Sequence, residues 1–295
     1  MLTMKYPLPE GFLKEEMRRG YTISESMKKA WAVQMDLLQE LLSVCNRHGL
    51  RVFADSGTLI GAVREKGFIP WDDDIDVAML REDYDRLMAL SGEFREPYFL
   101  QTIYSQPYYI NRHAQLHMGG TTAIRTDGKP QKHRQNIFID IFVIDALPSS
   151  PRAFKRHYIK VRRASQRLKI VRRITHALPK PLYLWCREHT KCLSDKYRFE
   201  QYEEVVRSVN TDDRTLYGAF FCTNMSLPIK HLADYRETIL LPFEHMMIPA
   251  PCGYDELLRV EYGDYMRPVQ APTMHGTMFF DAEKSYEEYL KGGLK

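Results

Sequence analysis

The residues from Asp72 to Asp76 read Asp-Asp-Asp-Ile-Asp, and Val77-Ala-Met follows them. Side chains at i and i+2 of a strand share a face, so Asp74 and Asp76 project together while Ile75 and Val77 turn toward a core. Two carboxylates held that close repel, and one keeps its proton unless a cation neutralises the pair. Oxygen ligands of this kind suit Mg²⁺ or Mn²⁺. Standing alone, such a run is more often a solvated acidic turn. A second feature shifts the balance: Ile137-Phe-Ile-Asp-Ile-Phe-Val-Ile144 is an apolar strand with one charge in its middle. An unpartnered carboxylate there would be costly, so Asp140 needs a partner. A metal shared with Asp74 and Asp76 is one solution, and an ion pair with Arg64 or Arg112 is the other. Asp145, at the end of the same run, reads as a cap or turn residue. Upstream, Ser56-Gly57-Thr58 lies between a short strand and a short helix. Glycine there lets a ligand approach the backbone, and a helix N-terminus offers free N–H groups to phosphate oxygens.

The stretch Asp55-Ser-Gly-Thr-Leu-Ile-Gly-Ala-Val-Arg-Glu-Lys-Gly-Phe-Ile-Pro-Trp-Asp-Asp-Asp-Ile-Asp-Val77 resembles the signature of the LicD family. These are phosphocholine transferases and relatives within the nucleotidyltransferase (polymerase-β-like) superfamily. The resemblance continues in Phe138-Ile-Asp-Ile-Phe-Val-Ile-Asp145, Leu241-Pro-Phe-Glu244 and Tyr262-Gly-Asp-Tyr-Met266. It implies an α+β nucleotidyltransferase-like core, a mixed β-sheet flanked by helices, with three catalytic and metal-binding carboxylates: Asp74, Asp76 and Asp140. Ser56, Gly57 and Thr58 match the family's phosphate-binding turn, with Thr58 in place of Ser. Glu65 departs from the pattern, since many relatives carry His there. The resemblance further implies a CDP-activated alcohol donor such as CDP-choline. Its alcohol phosphate would move to a surface glycan or a lipid-linked glycan precursor, releasing CMP. Arg64, Lys66 and Arg125 are candidate phosphate clamps, and the basic loop Arg125–Arg134 is placed to close over a donor or to be an ordinary solvated hairpin loop.

Several elements must position these groups. Thr22-Ile-Ser-Glu25 offers a capping box to a helix whose stripe runs Met27, Trp31, Met35, Leu38, Leu42, Cys45, with Gly49 to stop it. Strands are predicted over 50–55, 72–79, 98–103, 111–117, 121–125 and 136–144, and helices to Arg64 and over 81–90 and 254–262. A hairpin is predicted from 237–241 and 245–248, turning at Pro242-Phe243. His113 and His117 cannot share a helical face in a strand and read as structural. The chain divides into an arm (1–20), a core (21–148), a basic helical insert (149–206) and a C-terminal hairpin with helices (207–295).

The 295 residues are 44% apolar and 12% aromatic, which describes a globular chain. Five cysteines (Cys45, Cys186, Cys192, Cys222, Cys252) form no C-x-x-C pair, which suits free thiols in a reducing compartment. With no signal-like or membrane-spanning run, the expected location is cytoplasmic, peripheral at the inner membrane face. The net charge of +4 conceals a segregation: between Asp145 and Glu188 lie 42 residues with twelve Lys or Arg and no acid, leaving −8 for the rest. In this insert Phe154, Tyr158, Val161, Leu168 and Val171 form one helical stripe, and Leu182-Tyr-Leu-Trp185 follows. Such a segment, 152–185, can lie on an anionic membrane or pack on the body with a solvated basic face. No recognition motif supports nucleic acid binding. Rival functions are transfer of a nucleoside monophosphate with release of pyrophosphate, a D-x-D glycosyltransferase, and a non-catalytic binding protein.

Overall fold

The computed structural model describes residues 4–127, 131–209, 215–220, 229–270 and 277–292. In chain order the elements are β1 (Glu16–Arg18), β2 (Tyr21–Ile23), α1 (Glu25–His48), β3 (Phe53–Ala54), α2 (Ser56–Arg64), β4 (Asp76–Leu80), α3 (Arg81–Ala89), β5 (Tyr98–Gln101), β6 (Ala114–Met118), β7 (Thr122–Arg125) and β8 (Phe138–Leu147). There follow α4 (Pro151–Thr175), α5 (Lys180–His189), α6 (Asp195–Arg207), β9 (Leu216–Gly218), β10 (Lys230–His231), β11 (Thr238–Phe243), β12 (Met246–Pro251), α7 (Tyr254–Tyr262), β13 (Met278–Asp281) and α8 (Tyr286–Gly292).

The fold is α+β around one mixed sheet, ordered β10-β9-β8-β4-β3, with β6 also on β8 and β5 on β6. β4 and β8 run parallel; their other neighbours are antiparallel. The centre of the sheet is β8, whose β-branched and aromatic residues fit a pleated surface covered on both sides. Ile139, Ile141 and Val143 face a large core that α1 covers with Trp31, Leu38 and Leu41. Phe142, Ile144 and Ala146 face a second cluster with Phe53, Tyr235 and Leu257. Asp140 therefore lies on the second face, and Asp145, an odd number of residues on, lies on the first.

Helix α1 is capped two residues beyond Thr22, the N-cap of the predicted box. Its N-cap is Ser24, whose Oγ accepts from Met27 N at 3.2 Å, while Thr22 is in β2; Gly49 (φ 60°) closes the helix as expected. The hairpin of β11 and β12 also differs from expectation. Pro242 pairs with Met247 inside it, and the turn is Glu244-His245, with Glu244 at φ 54°. Proline is tolerated because this is a two-stranded sheet with an open edge. Asp145 is a correction: it is neither cap nor turn but an interior residue of β8, pairing in register with Gly218.

The predicted stripe of the basic insert is buried, not presented outward. Tyr158, Val161 and Leu168 of α4 pack with Phe199, Tyr202 and Val206 of α6, and with Ile103 and Tyr109 of the body. Each such side chain contributes roughly 1.5–3 kcal/mol by leaving water. Tyr183 is buried as well, stacked on Tyr108 with ring centroids 4.0 Å apart. The C-terminal segment supplies β9 and β10 to the central sheet, and β13 pairs with β7.

Candidate active site

The register of the sheet builds the site. Asp76 lies opposite Asp140 across the parallel β4–β8 pair, and Gln115 lies opposite Asp140 on the β6 side. Directly paired residues share a face, so the three side chains form a row across three strands. Asp74 precedes β4 and does not belong to it, yet it joins the row: one carboxylate oxygen each of Asp74, Asp76 and Asp140 lies within 4.8 Å of the others. Asp72, Asp73 and Asp74 form a second group of the same compactness. Asp140 is 3% exposed, whereas Asp74 and Asp76 are half-buried. Burial, then the charges of Asp74, Asp140, Asp72 and Asp55, hold the Asp76 carboxyl well above the usual carboxylate range. A divalent cation relieves just this repulsion. The donors are all hard carboxylate oxygens, so Asp74, Asp76 and Asp140 fit Mg²⁺ or Mn²⁺.

Local bonds fix the backbone that carries the acids. Asp76 N donates to Thr58 Oγ1 at 2.8 Å, and Asp55 N to Asp76 O at 3.1 Å. Asp140 N donates to Ile75 O at 2.9 Å. From α1, Trp31 Nε1 holds Asp72 O at 3.0 Å and Gln34 Nε2 holds Asp73 O at 2.7 Å. Thr58 therefore positions β4 with its hydroxyl. Gly57 does admit a close approach, and the group that approaches is Asp72: a Cβ at Gly57 would lie 2.4 Å from Asp72 Oδ2. Ser56 sits at φ 48°, a left-handed conformation uncommon outside glycine. Gly61 lets α2 meet the next loop, since a Cβ there would be 2.4 Å from Gly67 O. The three glycines of the Asp55–Val77 stretch thus each sit at a close approach: Gly57 to the Asp72 carboxylate, Gly61 to Gly67 O and Gly67 to the Glu244 carboxylate.

Of the three basic residues named as clamps, Arg64 and Arg125 have side chains engaged by other groups. Arg64 is buried, donating to Glu65 Oε1 at 2.6 Å and Tyr265 O at 2.7 Å. Lys66 is exposed, at φ 56°, and its carbonyl accepts from Glu244 N. Arg125 lies in β7 and pairs with Asp127. Residues 128–130 of the basic loop, and Cys222, lie outside the described residues. Glu65 bridges Arg64 and Arg19, whose Nε donates to it at 2.7 Å; burial pushes its carboxyl up, and the two guanidiniums bring it below its usual value. Glu244, from the C-terminal part of the resemblance, accepts from Arg18 and from Phe68 N. The segments 55–77, 241–244 and 262–266 thus meet around α2.

Sequence reasoning missed three neighbours. His113, read as structural, places Nε2 2.8 Å from Asp140 Oδ1, and Gln115 Nε2 donates to the same oxygen at 2.8 Å. An ionised carboxylate only accepts, so the histidine carries its proton on Nε2. His117 is structural as expected: it contacts Gln115 Oε1, and burial lowers its imidazole to about 3. Lys230 is buried at 4% exposure with Nζ 3.2 Å from Asp55 and 3.5 Å from Glu261. It places a cation beside the phosphate-type turn. The burial of His113 against Phe142 and the isolated Ile229-Lys230 carry no motif that could have announced either.

Comparison with known proteins agrees with this geometry. Residues 49–164, which contain Asp74, Asp76 and Asp140, match the LicD family model, described as LicD/FKTN/FKRP, nucleotidyltransferase domain. The lipopolysaccharide cholinephosphotransferase LicD of Haemophilus influenzae is 29% identical over 259 residues, covering 82% of this chain and 92% of that protein. Uncharacterized proteins of Rickettsia prowazekii and Rickettsia typhi are 33% and 32% identical over 84 residues, 28% of this chain. Residues 49–164 are thus similar to the nucleotidyltransferase domain of the LicD family.

Proposed function

We propose that the protein is a LicD-like phosphotransferase that moves phosphocholine from CDP-choline to a hydroxyl of a cell-surface glycan or its lipid-linked precursor, releasing CMP. The observation that carries this reading is the meeting of Asp74, Asp76 and Asp140 within 4.8 Å, inside the matched domain. The relative from Haemophilus, a lipopolysaccharide cholinephosphotransferase, supports the choice of transferred group and acceptor. Asp74, Asp76 and Asp140 would hold a divalent cation, which would supply charge neutralisation for the phosphoryl oxygens and the departing CMP. Asp140 accepts the proton of the acceptor hydroxyl, with His113 and Gln115 on Oδ1 fixing the plane of its carboxylate. The first turn of α2 presents backbone N–H groups suited to phosphate oxygens. Lys230, through Asp55, ties one end of that turn to β10, and Thr58, through Asp76 N, ties the other to β4.

Incubating the protein and Mg²⁺ with a glycan acceptor and CDP-choline, CDP-glycerol or CDP-ribitol tests the reading. Release of CMP with CDP-choline is expected. Turnover only with CDP-glycerol or CDP-ribitol reassigns the donor. Pyrophosphate release from a nucleoside triphosphate, without CMP from any CDP-alcohol, assigns the same carboxylates to nucleotidyl transfer instead.

A further inference from the structure

With its first apolar stripe buried on α6, α4 still carries aliphatic residues on the opposite side. Ile159, Ile170 and Ile174 are 39%, 57% and 50% exposed. At 100° per residue, positions 159, 170 and 174 fall within about 60° of one another, along the midline of the outward face. Arg156, Arg163 and Arg167 lie toward one side of that line, and Arg162, Lys169 and Arg173 toward the other; all six are exposed. Of the exposed residues of α4, nine are Lys or Arg and none is acidic. Just beyond, α5 exposes Leu182 (46%) and Trp185 (55%) one turn apart. Arg172 does not belong to this face: it is turned inward, donating to Ile110 O at 2.6 Å.

We infer that the outward face of α4, with Leu182 and Trp185 of α5, docks on an anionic lipid surface. Three observations select this occupant. A face with nine cations and no acid complements a negative surface, with each basic residue near it contributing about 1 kcal/mol. Isoleucines along the midline gain only from an apolar phase between the headgroups, and a nucleic acid backbone would leave them in water. Exposed tryptophan beside that stripe has the amphipathic character that favours a membrane interface. The inference stands apart from the proposed reaction, since it rests on α4 and α5 alone. Its structural consequence is that the docked helix holds the loop leading into the site: Ser165 Oγ accepts from Arg112, whose neighbour His113 contacts Asp140. An acceptor glycan carried on lipid would then be delivered close to the catalytic carboxylates.

Co-sedimentation of the full chain with vesicles of phosphatidylglycerol and phosphatidylcholine, against phosphatidylcholine alone, is the test. Binding to the anionic vesicles only is expected, with a blue shift of tryptophan emission that Trp185→Ala removes; Trp31 is fully buried and does not report on the surface. The variant R163Q/K169Q/R173Q should bind about a hundredfold more weakly, from about 1 kcal/mol per basic residue. Binding should also fall as salt shortens the Debye length from ~10 Å at 0.1 M to ~3 Å at 1 M. These residues are exposed and make no core contact, so the variant's circular dichroism should match wild type. No binding to anionic vesicles, binding indifferent to the triple variant, or binding to single-stranded RNA in its place would overturn the inference.

Discussion

Strand β8 buries two aspartates five residues apart, and they have opposite surroundings. Asp145 is 2% exposed and meets Arg81 through two parallel bonds, Nε to Oδ1 at 2.7 Å and Nη2 to Oδ2 at 2.9 Å; the same guanidinium also holds Glu203 at 2.9 Å. Asp140, equally buried, faces Asp74 and Asp76 with one oxygen of each within 4.8 Å, and its donors are an imidazole and an amide. The first arrangement neutralises charge within the fold. The second gathers three carboxylates whose oxygens are placed to share a cation. Burial alone therefore does not mark a catalytic acid; the sign of its neighbours does.

The comparison breaks most visibly at Arg81. Arg81→Met leaves Asp145 and Glu203 buried without their cation, and should cost about 3–5 kcal/mol in urea unfolding. Asp140→Asn should leave unfolding close to wild type or slightly more stable, because it removes a repelling charge. Equal destabilisation by the two would erase the distinction. A smaller effect is expected at His113. His113→Ala should lower turnover or metal affinity by about 10–100-fold, as loss of a group orienting a metal-binding carboxylate does, and His113→Gln should recover part of it. Unchanged turnover, with an unchanged Mg²⁺ titration, would return His113 to a purely structural role. The smallest effect belongs to Arg125, whose exposed pair with Asp127 is an ordinary surface contact. Arg125→Gln should alter kcat/KM by no more than about twofold, within the range of neutral surface changes; a tenfold loss would restore it as a phosphate clamp.

What could be read in advance follows from the range of the signal. The meeting of Asp74, Asp76 and Asp140 was legible because a two-residue spacing and a lone charge in an apolar run are local patterns, although Asp74 stands ahead of β4 and not within the strand as predicted. The helix α1 and the hydrophobic stripe of α4 were legible for the same reason, through a period of 3.6 residues. What packs on that stripe was not, since α6 comes from another part of the chain. Asp145 misled because an aspartate at the end of an apolar run looks alike whether the strand stops or continues; the pairing of β8 with β9 decides it. Pro242 misled as well, because an edge position in a two-stranded hairpin tolerates it. His113 and Gln115 reach Asp140 across 27 and 25 residues of chain, and Lys230 reaches Asp55 across 175. Only the register and the topology bring those pairs together, and neither is written in local spacing.

The same contrast locates the decisive experiment at the centre of the acidic row. Asp76 combines burial with crowding by like charge, and its backbone is held by Thr58 and Asp55 independently of its side chain. Asp76→Asn keeps the shape and those backbone bonds, so its thermal unfolding should match wild type while Mg²⁺ no longer raises Tm. The measurement is CMP release from CDP-choline in the presence of Mg²⁺ and a glycan acceptor, wild type beside Asp76→Asn. The account predicts CMP from the wild type and a loss of at least about 10³-fold in the variant, the scale of a removed electrostatic stabiliser. Turnover retained by a folded Asp76→Asn protein would contradict it.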